Sequence, residues 1–162
     1  SASDCREAEA WLVSSGTRLA RAADGMAVDL GAGARLEVLS TGEHGLALEL
    51  VFNRARFLLP LGANPEMIDE LLHSGRLVPA QALVLADSGY AAVNPPELFG
   101  RVQPLVAVIS VEPDDRRGLP SPEVLQALAG TTVLRTDHHG WIAFRTDGES
   151  LWVEVERMGA EG

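Results

Sequence analysis

Leu105-Val106-Ala107-Val108-Ile109-Ser110-Val111, then a polar loop, then Gly118-Leu119-Pro120-Ser121-Pro122-Glu123-Val124-Leu125, is the stretch that decides the fold. The first run is uninterrupted rather than alternating, so it reads as a strand buried on both faces, as in the middle of a parallel sheet. Residues 121–129 carry a helix-start signature: Ser121 as cap, Pro122 at the first position, Glu123 in the first turn, and Gly130 closing the helix. A strand over 131–135 follows, so strand, loop, helix and strand succeed one another. Upstream, an amphipathic helix over 66–73 precedes an apolar strand over 82–86, and a short helix opens at Pro95-Pro96. Residues 60–135 are therefore βα alternation around a parallel sheet.

Further out, the texture changes. Short period-two runs punctuated by glycine occupy residues 17–22, 26–30, 35–39, 46–51 and 56–59, and read as antiparallel strands. Asp24-Gly25, Gly31-Ala32-Gly33, Thr41-Gly42 and Phe52-Asn53-Arg54 are the turns between them. Residues 4–13 read as a helix with Asp4 as cap and Ala8, Trp11 and Leu12 on one face. Strands over 141–145 and 151–156 finish the chain around the hairpin signal Asp147-Gly148. The expected class is α/β with a mixed sheet, antiparallel in the amino-terminal part and βαβα in the carboxyl-terminal part. One domain spans 1–162, with flexible ends over 1–10 and 158–162.

Composition narrows the chemistry. All 13 basic residues are arginine, which removes Schiff-base and P-loop lysine chemistry. Against them stand 23 acidic residues, a formal charge of −10, which repels polyphosphates. A single cysteine, Cys5, excludes an intrachain disulfide and any CxxC motif. No apolar run is long enough to span a bilayer, and the polar opening of the chain is unlike a signal peptide.

Each candidate site competes with a plainer reading. Gly31-Ala32-Gly33 lacks a third glycine and a following helix, so it reads as a hairpin turn rather than a dinucleotide loop. Ser88 follows a buried strand, but a nucleophile elbow needs glycine where Ala86 stands. Asp137-His138-His139-Gly140 offers imidazoles, yet neighbours in a turn point apart, and His44 and His73 lie in unrelated segments; a solvated hairpin tip is the expectation. Asp114-Asp115-Arg116-Arg117 reads as a solvated loop, with the rim of a binding cleft as the alternative.

The order of these segments resembles the carboxyl-terminal metallo-β-lactamase-like domain of ComEC-type DNA-internalisation competence proteins. The resemblance covers about residues 11–156 and rests on the run 105–111, on Gly118 to Leu125, and on Leu134-Arg135-Thr136-Asp137-His138-His139-Gly140. It rests also on the stretch from Gly25 to Leu39, similar to the family's "G…dlG.G..levL", and on Arg56-Phe57-Leu58-Leu59 leading to its "LLTGD". It implies a partial or reduced αββα sandwich, the carboxyl-terminal part with a remodelled amino-terminal strand layer. Zinc or manganese would be the family's cofactor. At the family's metal positions the chain departs: the "LLTGD" aspartate falls on Gly62 or Ala63, "HHGS" falls on Asp87-Ser88-Gly89-Tyr90, and "GHPHPEVL" places Leu119 and Ser121 where histidines belong. The amino-terminal "HxHxDH" motif is absent.

The expectation is thus a non-catalytic relative with no catalytic residue and no cofactor: a soluble extramembrane domain of a bacterial membrane protein linked to DNA uptake, its side of the membrane left open with the extracytoplasmic one favoured. Its partners would be other segments of the parent protein and the uptake machinery. Arg54, Arg56, Arg116 and Arg117 would support weak nucleic-acid binding at most, with Kd above about 10⁻⁵ M. Two alternatives are a metal-dependent nuclease with a site rearranged onto Asp87, His138, His139 and Asp114 or Asp115, and an acidic protein-binding module.

Overall fold

The computed structural model describes residues 2–158, with side chains from residue 6 onward. Four antiparallel strands form a meander: β1 (Ala27–Gly31), β2 (Ala34–Thr41), β3 (Leu46–Phe52) and β4 (Ala55–Leu61). From β4 onward the pairing is parallel, through β5 (Ala82–Val84), β6 (Val106–Ile109) and β7 (Thr132–Arg135). The result is one seven-stranded mixed sheet in sequence order. Helices α2 (Pro65–His73), α3 (Pro96–Val102) and α4 (Pro122–Ala127) make the crossovers that parallel strands require. A separate hairpin, β8 (Ile142–Thr146) and β9 (Leu151–Val155), closes the chain.

The two faces of the sheet differ. Along one row run Leu58, Leu83, Ala107 and Val133, and this face meets Ile68 and Leu71 of α2, Leu98 and Val102 of α3, and Val124 of α4 in a single core. Each large aliphatic side chain buried there contributes roughly 1.5–3 kcal/mol. The neighbouring row, Leu36, Leu50, Phe57, Ala82 and Val106, looks the other way. The hairpin reaches it, with Phe144 edge-on to Phe57 at a centroid distance of 5.4 Å.

Local chemistry explains the element ends. Asn64 caps α2, its Oδ1 accepting from Met67 N at 2.8 Å, with Pro65 opening the helix. Glu49 is buried on the core side, opposite Glu37, and stays tolerable because Arg56 Nη1 donates to its Oε2 at 2.5 Å.

Several expectations are corrected. Residues 17–22 form no strand; they are irregular, and β1 is the sheet edge. Helix α1 (Ala2–Ser14) begins ahead of Asp4, which therefore is not its cap. Strand β5 stops at Val84 because the chain turns sharply just beyond it. Ser121 precedes α4 without capping it, since its Oγ accepts from Ala91 N instead. The expected hairpin tip at His138-His139 is a one-turn helix, α5 (Thr136–His139), at the end of β7. Residues 159–162 of the expected flexible end lie outside the described residues.

Candidate functional site

Strands β4 to β7 are parallel, so their carboxyl ends share one sheet edge, the place where open α/β sheets bind ligands. The chain leaving β5 takes an unusual path there. Asp87 (φ 39°, ψ 53°), Ser88 (φ 54°, ψ 27°) and Gly89 (φ 81°) are consecutive left-handed residues. Such conformations cost of order 1–3 kcal/mol each for residues with a side chain, and persist only where the surroundings over-determine them.

Two neighbours impose the turn. Asn94, buried beneath it, accepts from Ala86 N at 3.1 Å and donates through Nδ2 to Ala86 O at 2.9 Å and Tyr90 O at 2.7 Å. From the loop before α4, Ser121 N donates to Gly89 O at 3.1 Å, and Ala91 N donates to Ser121 Oγ at 3.1 Å. The packing is tight enough that a Cβ on Gly89 would lie 2.7 Å from Pro120 Cβ.

Above the turn sits Arg117. Its Nη1 donates to Asp87 Oδ1 at 2.7 Å, its Nη2 lies 3.5 Å from Ser88 Oγ, and its Nε lies 3.6 Å from Asp115 Oδ2. The hydrogen bond to Asp87, with the charges of Asp87 and Asp115, holds the guanidinium further into its charged form. Asp115 in turn shapes the loop, its Oδ1 accepting from Arg117 N at 2.7 Å. An open cleft of about 600 Å³ lies alongside, lined by Ser88, Ser110, Glu112, Asp115, Arg117 and Thr136. Thr136 ties β7 to β6, its Oγ1 accepting from Val111 N and donating to Val111 O.

The structure brings Asp87, Ser88, Leu119 and Ser121 together around this turn. Gly62 and Ala63 follow β4 on the same sheet edge, where β4 touches the turn. Gly62 is left-handed (φ 61°) and so close to the β2–β3 connection that a Cβ would lie 2.7 Å from His44 O.

His138 and His139 stand at the carboxyl end of the neighbouring β7, but their rings serve their own turn. His139 Nδ1 lies 3.0 Å from both Arg135 N and Arg135 O, and His138 Nε2 lies 3.6 Å from Asp137 Oδ2. Asp137 is pushed up by burial but brought below its ordinary value by the hydrogen bonds and charge of Arg135. Asp114 occupies a left-handed turn position in the loop beyond β6. Among the described residues no three His, Cys, Asp or Glu side chains gather as a metal-ligand set. Gly62, Ala63 and Leu119 bring no donor, Ser121 Oγ takes a backbone amide, and Asp87 is held by a cation, so the residues at the mapped positions do not fit zinc or manganese.

Of the four arginines named for weak nucleic-acid binding, Arg56 is paired with Glu49, and Arg117 with Asp87 and Asp115. Arg117 was legible only as part of a charged loop at a cleft rim. The role of Asn94 had no signal beyond the Asn94-Pro95-Pro96 turn chemistry. Among the described residues no helix is long and apolar enough to cross a membrane. Compared with protein-family models, with curated proteins and with solved structures, the chain matches none.

Proposed function

We propose that this chain is the carboxyl-terminal part of a metallo-β-lactamase-like αββα sandwich whose metal ligands have been replaced, and that it serves a structural or interaction role. The parent would be a ComEC-like bacterial membrane protein of DNA uptake, with this domain outside the bilayer. The observation that carries the reading is the edge described above. Positions far apart in sequence, each substituted relative to the family's ligands, meet around one left-handed turn, and a guanidinium holds the carboxylate there. A fixed cation bound to Asp87 supplies positive charge but has no open coordination position, so it activates no water. The apolar row on the hairpin side of the sheet supports the same reading, because a sandwich half exposes such a face until its other layer covers it.

The test is metal analysis of the purified chain joined to DNA cleavage with added Mn²⁺ or Zn²⁺. Substoichiometric metal and no cleavage are expected. Stoichiometric metal with cleavage lost on H138A and H139A would establish the rearranged nuclease site instead.

A further inference from the structure

The cleft beside Arg117 holds polar groups that the protein itself leaves unspent. Each Nη of the guanidinium carries a pair of N–H groups and uses one of them, Nη1 toward Asp87 Oδ1 and Nη2 toward Ser88 Oγ. The other N–H of each meets no acceptor among the described residues, and Asp87 Oδ2 meets no donor. In the same cleft Glu112 makes no ion pair and Ser110 no side-chain hydrogen bond among the described residues, and both are exposed. Arg117 also walls an adjoining recess of about 220 Å³, shared with Asp87, Leu119 and the half-exposed Tyr90. Unspent donors and carboxylate acceptors therefore surround the guanidinium, with an aromatic side chain at one end.

That inventory selects the ligand. An added phosphate or carboxylate would meet Asp87, Glu112 and Asp115 around a cation already paired. An apolar molecule would strip water from these groups without replacing its hydrogen bonds. An organic cation would leave the guanidinium donors unmet. A hydroxyl both donates and accepts, so neighbouring hydroxyls on one ring satisfy a carboxylate and a guanidinium together, while the ring's C–H face packs on an aromatic side chain. We propose that this cleft binds an uncharged saccharide: Arg117, Asp87 and Glu112 hold its vicinal hydroxyls, Ser88 and Ser110 offer further hydroxyl partners, and Tyr90 packs on its C–H face. The cleft of about 600 Å³ lies within the usual size of small-molecule sites, about 300–1,000 Å³. The inference goes beyond the metal-depleted reading, since it uses only side chains present in the cleft.

The test is a titration of the chain, in EDTA, with neutral hexoses, N-acetylhexosamines and their linked oligosaccharides, followed by amide NMR. Saturable shifts should centre on Ser88, Tyr90, Ser110 and Glu112. R117A and E112A should each weaken binding about tenfold, as expected for the loss of a charge-assisted hydrogen bond. Both side chains are exposed, and Asn94 holds the turn from beneath, so neither variant should unfold the chain. Y90A should weaken binding as well, while Y90F should not, because the ring and not its hydroxyl makes the contact. Saturation by monosaccharides marks a free sugar as the ligand; saturation by oligosaccharides alone marks a polysaccharide. The inference is overturned by the absence of a saturable shift from every saccharide, by shifts confined to other surfaces, by unchanged binding in E112A, or by an equal response to inorganic phosphate or spermidine. Binding that appears only when Zn²⁺ or Mn²⁺ replaces EDTA overturns it too, whereas stoichiometric metal with saccharide binding intact in EDTA would overturn the metal-depleted reading alone.

Discussion

Replacing Asn94 by alanine tests whether the left-handed turn is held from beneath. The side chain is almost wholly buried and satisfies three backbone groups: Ala86 N, Ala86 O and Tyr90 O. A buried polar group left without a partner costs about 1–3 kcal/mol, and the alanine variant orphans three within one turn. Relaxation of the backbone recovers part of this, because Asp87 and Ser88 can then leave their left-handed conformations. The net expectation is a loss of about 3–5 kcal/mol, a large share of the roughly 5–15 kcal/mol that stabilises an ordinary domain. Urea unfolding followed by circular dichroism measures it, with an unchanged m-value as the sign of two-state behaviour. Asn94→Asp sharpens the test. It keeps the acceptor for Ala86 N but sets carboxylate oxygens against the carbonyls of Ala86 and Tyr90, so it should be at least as destabilising at neutral pH. It should recover partly on acidification, when the protonated carboxyl regains one donor. A loss below about 1 kcal/mol in N94A would refute the reasoning, since the turn would then hold itself.

The pH dependence of stability should separate two carboxylates of opposite sign. Burial raises Glu49 above its ordinary 4.5 despite Arg56, so its contribution is present below that value and lost as pH rises through the folded pKa; E49Q should flatten this segment of a stability–pH profile. Asp137 is lowered from 3.8, burial being outweighed by Arg135, so stability present above that value is lost as pH falls through the folded pKa, and D137N should remove the acid-side loss. G89A should cost about 1–3 kcal/mol in chemical denaturation, because the backbone is left-handed and the new Cβ meets Pro120 at 2.7 Å. A double-mutant cycle of F57A and F144A should return a coupling of about 0.5–1.5 kcal/mol; additivity would show that the hairpin does not rest on the sheet through this pair.

Much of the fold was legible because its signals are local. The run 105–111 marked β6, the glycine turns marked the β1–β4 meander, and Asp147-Gly148 marked the final hairpin. What escaped was decided by long-range partners. Residues 17–22 carry a weak strand pattern but pair with nothing in the sheet, so the pattern is not realised. Ser121 has the residue type of a helix cap, yet Ala91, distant in sequence, presents an amide to its hydroxyl. His138 and His139 are a local exception: His139 folds back onto Arg135 four residues earlier, within a one-turn helix that the residue types do not announce. The site follows the same division. The strands whose carboxyl ends form its edge were legible as elements, whereas the pairing of Arg117 with Asp87 crosses 30 residues and leaves no local trace.

The two supports of the left-handed turn are unequal, and the inequality says which of them sets its conformation. Arg117 and Asp87 are both substantially exposed, so water and salt screen their attraction, and exposed ion pairs seldom hold a strained backbone in place. Asn94 works in a buried site, where an unmade hydrogen bond has no replacement from water. The conformation of Asp87 and Ser88 is therefore set from the core side, and the guanidinium occupies an edge already shaped without it. That edge also interlocks the connections after β5 and before α4, through Gly89, Pro120 and Ser121. A turn maintained by the core, and by contact between two crossovers, keeps its shape whatever the carboxylate it displays binds. Its strain is therefore set by the packing beneath it rather than by the ion pair at the surface.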